Sequence, residues 1–275
     1  MAAKRPRPMR KPVSRTPPWA GPVAVIVGMA VVVAAFLAIR WYTTPPTPKP
    51  LKVDATQQLV DAITSLSPSE LDGIGLGSAN QGLRKVSGAP LTGSTGKPEV
   101  FYFGAEYCPY CAAERWPIVI ALSRFGTFSG LATTSSSATD IYPNTPTFTF
   151  RNATYASQYI DFRSVETTDR DRNPLQSPTA ADQALVDAYD SNGSIPFIDF
   201  GNRYAVAGAT YLPDMLAGLS WQQVAAALQQ PGSPQAKAIL GSANLITAAI
   251  CKLTGDQPSA VCSSPATQAL ETKLG

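Results

Sequence analysis

The sequence predicts an α/β domain built around one sheet and preceded by one transmembrane helix. Three observations carry that reading. Short runs rich in Phe, Tyr, Ile and Val alternate with segments whose apolar residues recur at helical spacing. No charge occurs over residues 16–39, a stretch of 24. Finally, 25 prolines and 20 glycines in 275 residues cut the remainder into short elements.

Lys4, Arg5, Arg7, Arg10, Lys11 and Arg15 crowd residues 1–18, a proline-broken basic tail for which no packed structure is expected. Residues 23–39 read VAVIVGMAVVVAAFLAI. About 20 such residues in a helix cross the roughly 30 Å hydrocarbon layer. Trp19 and Trp41-Tyr42 stand where interfacial aromatics are expected, so the span is placed at 19–42 in the lipid bilayer. The basic tail should stay cytoplasmic, leaving residues 43–275 outside. A cleaved signal peptide is the alternative. The length of the run and Arg40-Trp41, in place of a small-x-small cleavage site, argue against it. Residues 43–52 (TTPPTPKPLK) are a Pro-rich linker that should hold the next domain within roughly 30 Å of the bilayer.

Residues 53–98 read as a helical and loop extension. Leu59, Ala62, Ile63 and Leu66 have helical spacing, and Ser67-Pro68-Ser69-Glu70 offers an N-cap, a first-turn proline and a capping-box Glu. Residues 73–77 (GIGLG) lack the spacing of a dinucleotide fingerprint and are expected as a flexible loop. Residues 99–104 form a strand, and 112–125 a helix that Pro117 should kink. Further strands are expected at 128–134, 148–150 and 159–162, with a polar loop over 135–146. Residues 167–177 read as a charged loop in which Arg170 and Arg172, with Arg163 nearby, mix with Asp169 and Asp171 in solvent. Ser177-Pro178 should cap a helix ending near Tyr189. Residues 195–200 form a strand, Gly201-Asn202 a turn and 203–207 its hairpin partner. Ser220 and Gln223 make a capping box for a helix with Trp221, Val224, Ala225 and Leu228 on one face. Ser233-Pro234 opens a last helix to about Leu253, and Trp116 and Trp221 belong to the core.

Composition narrows the chemistry. There is no histidine, which excludes His general bases, Ser-His-Asp and Cys-His triads and imidazole-dependent metal sites. The net charge of +3 is asymmetric: residues 1–52 carry nine bases and no acid, whereas 53–275 carry 13 bases and 19 acids. The folded part therefore gives no support to nucleic-acid binding.

What remains is four cysteines. Cys108 and Cys111 form a C-x-x-C directly after an apolar strand and at the start of a helix. A helix N-terminus presents unpaired N–H groups and partial positive charge, which lower the pKa of a nearby thiol. Cys108 should be the exposed nucleophile and Cys111, one turn deeper, the shielded resolving thiol. A permanently closed bridge between them stays open as a reading. Zinc is opposed by the ten-residue gap between Cys251 and Cys262, so no metal is expected. In an oxidising compartment Cys251 and Cys262 are expected to form a structural disulfide, worth roughly 2–3 kcal/mol on the chain-entropy model.

The segment VFYFGAEYCPYC (100–111) resembles the active-site segment of the thioredoxin superfamily, and its CPYC tetrad resembles that of glutaredoxins. Ile195-Pro196 before a hairpin resembles the superfamily's substrate-binding cis-proline loop. The N-terminal anchor, GAEYCPYCAAERW, IPFIDFGN and the C-terminal cysteine pair are together similar to a bacterial family of thioredoxin-like membrane proteins of unknown function, over roughly residues 50–265. The resemblance implies a thioredoxin-like fold over 99–265, a central mixed sheet flanked by helices, ending in a tail at 266–275. The 84 residues between Cys111 and Pro196 exceed a minimal thioredoxin, so an insertion is expected at about 135–177.

Two departures bear on chemistry. Tyr102 stands where thioredoxin has a buried Asp, the proton acceptor for the resolving thiol. Glu106 or Glu114 could serve proton transfer instead, although carboxylates are mostly solvated. Glutathione-binding residues are not recognisable. The expected activity is that of a membrane-anchored, extracytoplasmic thiol–disulfide oxidoreductase acting on cysteines of exported proteins. It would need no cofactor beyond its own cysteine pair and would be served by a membrane redox partner. The alternative is a non-catalytic binding or assembly module with static disulfides.

Overall fold

A computed structural model describes residues 17, 19–43, 47–80 and 82–275. The basic tail up to residue 16 and residues 44–46 of the linker lie outside the described residues. Two compact units divide the chain between Thr44 and Pro45. In the first, helix α1 (Ala20–Thr43) is long and apolar enough to fit a single membrane span or a signal sequence.

The second unit begins with helices α2 (Val53–Thr64) and α3 (Pro68–Ile74) and a two-residue strand β1 (Arg84–Lys85). Ser67 caps α3 through the reciprocal bonds its sequence predicts. Leu59, Ile63 and Leu71 bury the apolar faces of these helices in the main core. The loop after α3 is not the free glycine loop expected. A Cβ on Gly77 would meet the Lys237 carbonyl oxygen at 2.1 Å, and one on Gly241 would meet that of Leu76 at 2.1 Å. The glycines permit a close backbone approach between this turn and a core helix.

Strand β2 (Glu99–Gly104) is buried along its length and leads into helix α4 (Pro109–Leu122). After α4 come β3 (Gly126–Ser129), β4 (Ala132–Ser135), β5 (Pro146–Thr149) and β6 (Thr154–Ser157). These pair as two antiparallel two-stranded sheets, β3 with β6 and β4 with β5. The single strand expected at 128–134 is thus two, divided at Gly130, whose φ of +74° turns the chain. Strand β7 (Asp161–Glu166), helix α5 (Ala180–Tyr189), strands β8 (Phe197–Phe200) and β9 (Tyr204–Ala207) and helices α6 (Trp221–Leu228) and α7 (Pro234–Thr254) follow. Helix α5 starts two residues later than Ser177 suggested. Thr179 and Asp182 form its capping box instead.

The central sheet runs β1-β9-β8-β2-β7 and is mixed: β7 lies parallel to β2, and the other pairs are antiparallel. Gly201 and Asn202 turn the β8–β9 hairpin with φ of +63° and +57°. Residues 266–275, expected as a tail, belong to helix α9 (Pro265–Leu274), which packs on α7 and buries Leu270. Between them α8 (Ser259–Cys262) carries Cys262, whose sulfur is bonded to that of Cys251.

Helix α4 is the centre of the unit. Every residue from Cys111 to Leu122 is buried, so the helix has no polar face. Pro117 removes the N–H that Ala113 O would accept, and the Tyr211 hydroxyl donates to that carbonyl instead at 2.7 Å. Trp116 and Trp221 are core residues, each donating its indole N–H to a β5 carbonyl, of Pro146 and Thr147 respectively.

Candidate functional site

Strands β2 and β8 pair with Phe103 opposite Phe197, so the chain leaving β2 and the chain entering β8 meet at one end of the sheet. The first carries Cys108 and the second Ile195 and Pro196, joined by a cis peptide bond. The Asp190 carboxylate accepts from the backbone N–H groups of Asn192 and Ser194, which fixes the approach to that proline. Beyond the hairpin, Gly208 N–H donates to the Pro196 carbonyl at 2.7 Å.

Cys108 is the N-cap of α4, and its sulfur accepts from the Cys111 backbone N–H at 3.4 Å. Its thiol faces the Ile195 carbonyl at 3.6 Å. Both cysteines are free thiols. Cys108 was expected to be exposed, but the proline loop leaves it only 6% accessible, against 0% for Cys111. The order of depth is retained, while both lie beneath the surface. The Cys108 thiol is held below the ordinary range, first by the hydrogen bond from the Cys111 side chain. Backbone groups of Cys111 and Tyr110 and the charge of Arg115 act in the same direction, against burial. Cys111 is pushed well above that range, chiefly by burial and then by its bond to Cys108. The two thiols are thus split electrostatically, the outer one shifted down and the inner one shifted up.

The loop between β4 and β5 walls one side. Ser137 N–H donates to the Tyr107 carbonyl, Tyr142 meets the Tyr110 ring edge-on at 6.0 Å, and Arg172 lies 3.9 Å over the Tyr107 ring while pairing with Asp140. Arg170 donates to Ser136 O and to Asn144. Arg163 is on β7, paired with Glu99 and Asp182 and stacked over Phe101. Asp171 and Arg172 are exposed and Arg163, Asp169 and Arg170 half-buried, so the arginine cluster is solvent-accessible as expected and is also held by these contacts.

Neither glutamate has the solvated position expected. Glu106 is 8% exposed and accepts from the Thr149 hydroxyl. Glu114 is 0% exposed and accepts from Thr210 N–H and Oγ1 at 2.8–3.0 Å. Among the described residues no hydrogen bond joins either carboxylate to a cysteine. Burial raises Glu114 to about 7, against the Thr210 hydrogen bonds. A carboxyl raised in the folded state binds more protons there than when unfolded. Its stabilising contribution is therefore present at low pH and lost as pH rises towards 7. Replacing Glu114 by Gln should flatten that slope. Between pH 4 and 8, wild-type protein should lose about 3 kcal/mol more than E114Q in urea unfolding. Parallel pH profiles for the two proteins would refute this assignment.

Three residues completing the site carried no motif. Arg115 and Glu166 form a fully buried bidentate ion pair, with Nε to Oε1 at 2.9 Å and Nη2 to Oε2 at 2.7 Å. Arg115 also donates to Ala105 O at the end of β2 and lies 5.6 Å over the Tyr102 ring. Thr210 is the third, linking Glu114 to the segment that holds Pro196. The one available signal was a Glu-Arg pair inside an otherwise apolar helical run. Among the described residues, Cys251, Cys262 and Glu271 are the one cluster of metal-type ligand atoms, and both sulfurs are tied in the disulfide.

With this geometry in place, comparison with protein families gives a match over most of the second unit. The model described as "Domain of unknown function (DUF929)" matches residues 83–252, 170 of the 275. The chain belongs to the DUF929 family. No curated protein and no solved structure matches it. The DUF929 region runs from just before β1 into the last turn of α7. It contains Cys108, Cys111, Pro196, Arg115 and Glu166, and it ends before Cys262.

Proposed function

We propose that this DUF929 protein is a membrane-anchored, extracytoplasmic thiol–disulfide oxidoreductase with a thioredoxin-like fold. The observation that carries the reading is Cys108 at the N-cap of α4, its thiol lowered, with Cys111 protonated beneath it and the cis Pro196 loop beside it. The fold assignment is supported by connectivity. A β-α-β unit (β2, α4, β7), a helix (α5), a hairpin (β8, β9) and a closing helix (α7) give the order β7-β2-β8-β9, with β2 and β7 parallel. Cys108 attacks a client disulfide, Cys111 resolves the mixed disulfide, and Ile195 and Pro196 present the client strand. The cysteine pair carries the electrons, so no bound cofactor is required. The apolar α1 and the bases before it support an anchor with the domain outside, which makes exported proteins the clients and a membrane protein the redox partner.

The 6% exposure of Cys108 favours a second reading, a binding or assembly module whose thiols do not react. Equilibrating the protein with glutathione buffers separates the two. An exchange enzyme should poise the Cys108–Cys111 pair between about −120 and −270 mV, the range of known donors and reductants. A pair that never enters exchange with the buffer would remove the enzyme reading.

A further inference from the structure

Behind the cysteine pair the fold buries two hydrogen-bond donors that have no partner among the described residues, the Tyr102 hydroxyl and Arg115 Nη1. Both side chains are 0% exposed. Buried donors are nearly always satisfied, so two orphans side by side require an account. Both face Cys111. A Cβ on Gly104 would fall 2.4 Å from the Tyr102 oxygen and 3.0 Å from the Cys111 sulfur. Glycine at 104 therefore lets hydroxyl and sulfur share one space. The Arg115 charge acts on Cys111, Tyr102 and Cys108. The remaining charged groups there are Glu166, which balances Arg115, and Glu106, which acts on Glu166. Neither carboxylate reaches the Cys111 sulfur to take its proton.

We infer that Tyr102 and Arg115 are a preformed donor pair for the Cys111 thiolate, promoting resolution by stabilising that anion where it forms instead of by a carboxylate base. The inference rests on the exchange reading above. The Cys108 thiolate attacks a client disulfide, forming a Cys108–client bond and expelling the other client sulfur as thiolate. That thiolate takes the Cys111 proton. The Cys111 thiolate, accepting from Tyr102 and facing Arg115, attacks the Cys108 sulfur, closes the Cys108–Cys111 bond and releases the second client sulfur. Two electrons pass from the pair to the client. In the thiol state the two donors are left over, and in the thiolate state they are used.

The test uses reduced full-length protein in detergent and dithiobis-nitrobenzoate, whose coloured thiolate is released once by Cys108 attack and once by Cys111 resolution. Tyr102→Phe removes only the hydroxyl that lies beside the Cys111 sulfur. It should slow the second release about tenfold at neutral pH and move its pH midpoint up by about one unit, leaving the first release unchanged. Arg115→Lys, which keeps the charge, should retain more of the rate than Tyr102→Phe combined with Arg115→Met. A second release with unaltered rate and midpoint in Tyr102→Phe would overturn the inference while leaving the exchange reading intact. A slower second release with an unshifted midpoint would assign Tyr102 to packing and also overturn it. No first release from wild-type protein would remove the exchange reading and this inference with it.

Discussion

Cys108→Ser should reduce thiol–disulfide exchange to the uncatalysed background, while Cys111→Ala should still attack and then stall as a mixed disulfide. The asymmetry follows from position. Cys108 is the outer sulfur, accepts from the Cys111 backbone N–H and is the thiol held low. A serine hydroxyl at the same N-cap keeps the capping bond but cannot form a thiolate, so the helix survives and the chemistry does not. Cys111→Ala has a second consequence. The Cys111 side chain is the largest cause of the lowered Cys108 thiol, so its removal should raise the Cys108 pKa and slow attack at neutral pH. The measurement is reduction of a disulfide substrate, with non-reducing gels for the trapped adduct. Continued turnover by Cys108→Ser would sink the enzyme reading.

Arg115→Met should be the most destabilising single substitution near the site, costing about 3–5 kcal/mol in urea unfolding. Arg115 and Glu166 are both fully buried and bonded to each other twice. Removing the guanidinium leaves a buried carboxylate without its counter-charge, and burial already raises Glu166. The double substitution Arg115→Met with Glu166→Leu should recover much of the loss, because an apolar pair of similar volume carries no desolvation cost. The coupling between the two sites is the quantity to read. A single-variant loss below about 1 kcal/mol would show that the pair is open to water and not part of the core.

Local signals were read well. The capping boxes at Ser67 and Ser220, the strand over Glu99–Gly104 and the Gly201-Asn202 turn all stand where short-range patterns placed them. The caps and the turn are settled by bonds between residues three apart, and the strand shows itself as an unbroken run of β-formers although its ladder partners are remote. The division of 128–134 into two strands was not legible, because the break rests on Gly130 alone and the pairing partners of β3 and β4 lie beyond it. The true cap of α5 was missed for a simpler reason: Ser177 and Thr179 are equally good candidates, and the bonds to Asp182 decide between them.

The sequence by itself determined the apolar N-terminal helix, the strand–CPYC–helix unit, and the absence of any histidine-based chemistry. Those depend on composition and on spacings within one or two turns. Only the tertiary structure decided what surrounds the cysteines. Carboxylates and arginines are assigned to solvent unless a partner is visible, and here the partners are remote: Glu166 lies 51 residues from Arg115, and Thr210 lies 96 from Glu114. Helix α4 is enclosed by α7, β5, α2 and the turn at Pro213–Leu216. Its charged side chains therefore have nowhere to be solvated, and each is held by a bond that no local pattern encodes.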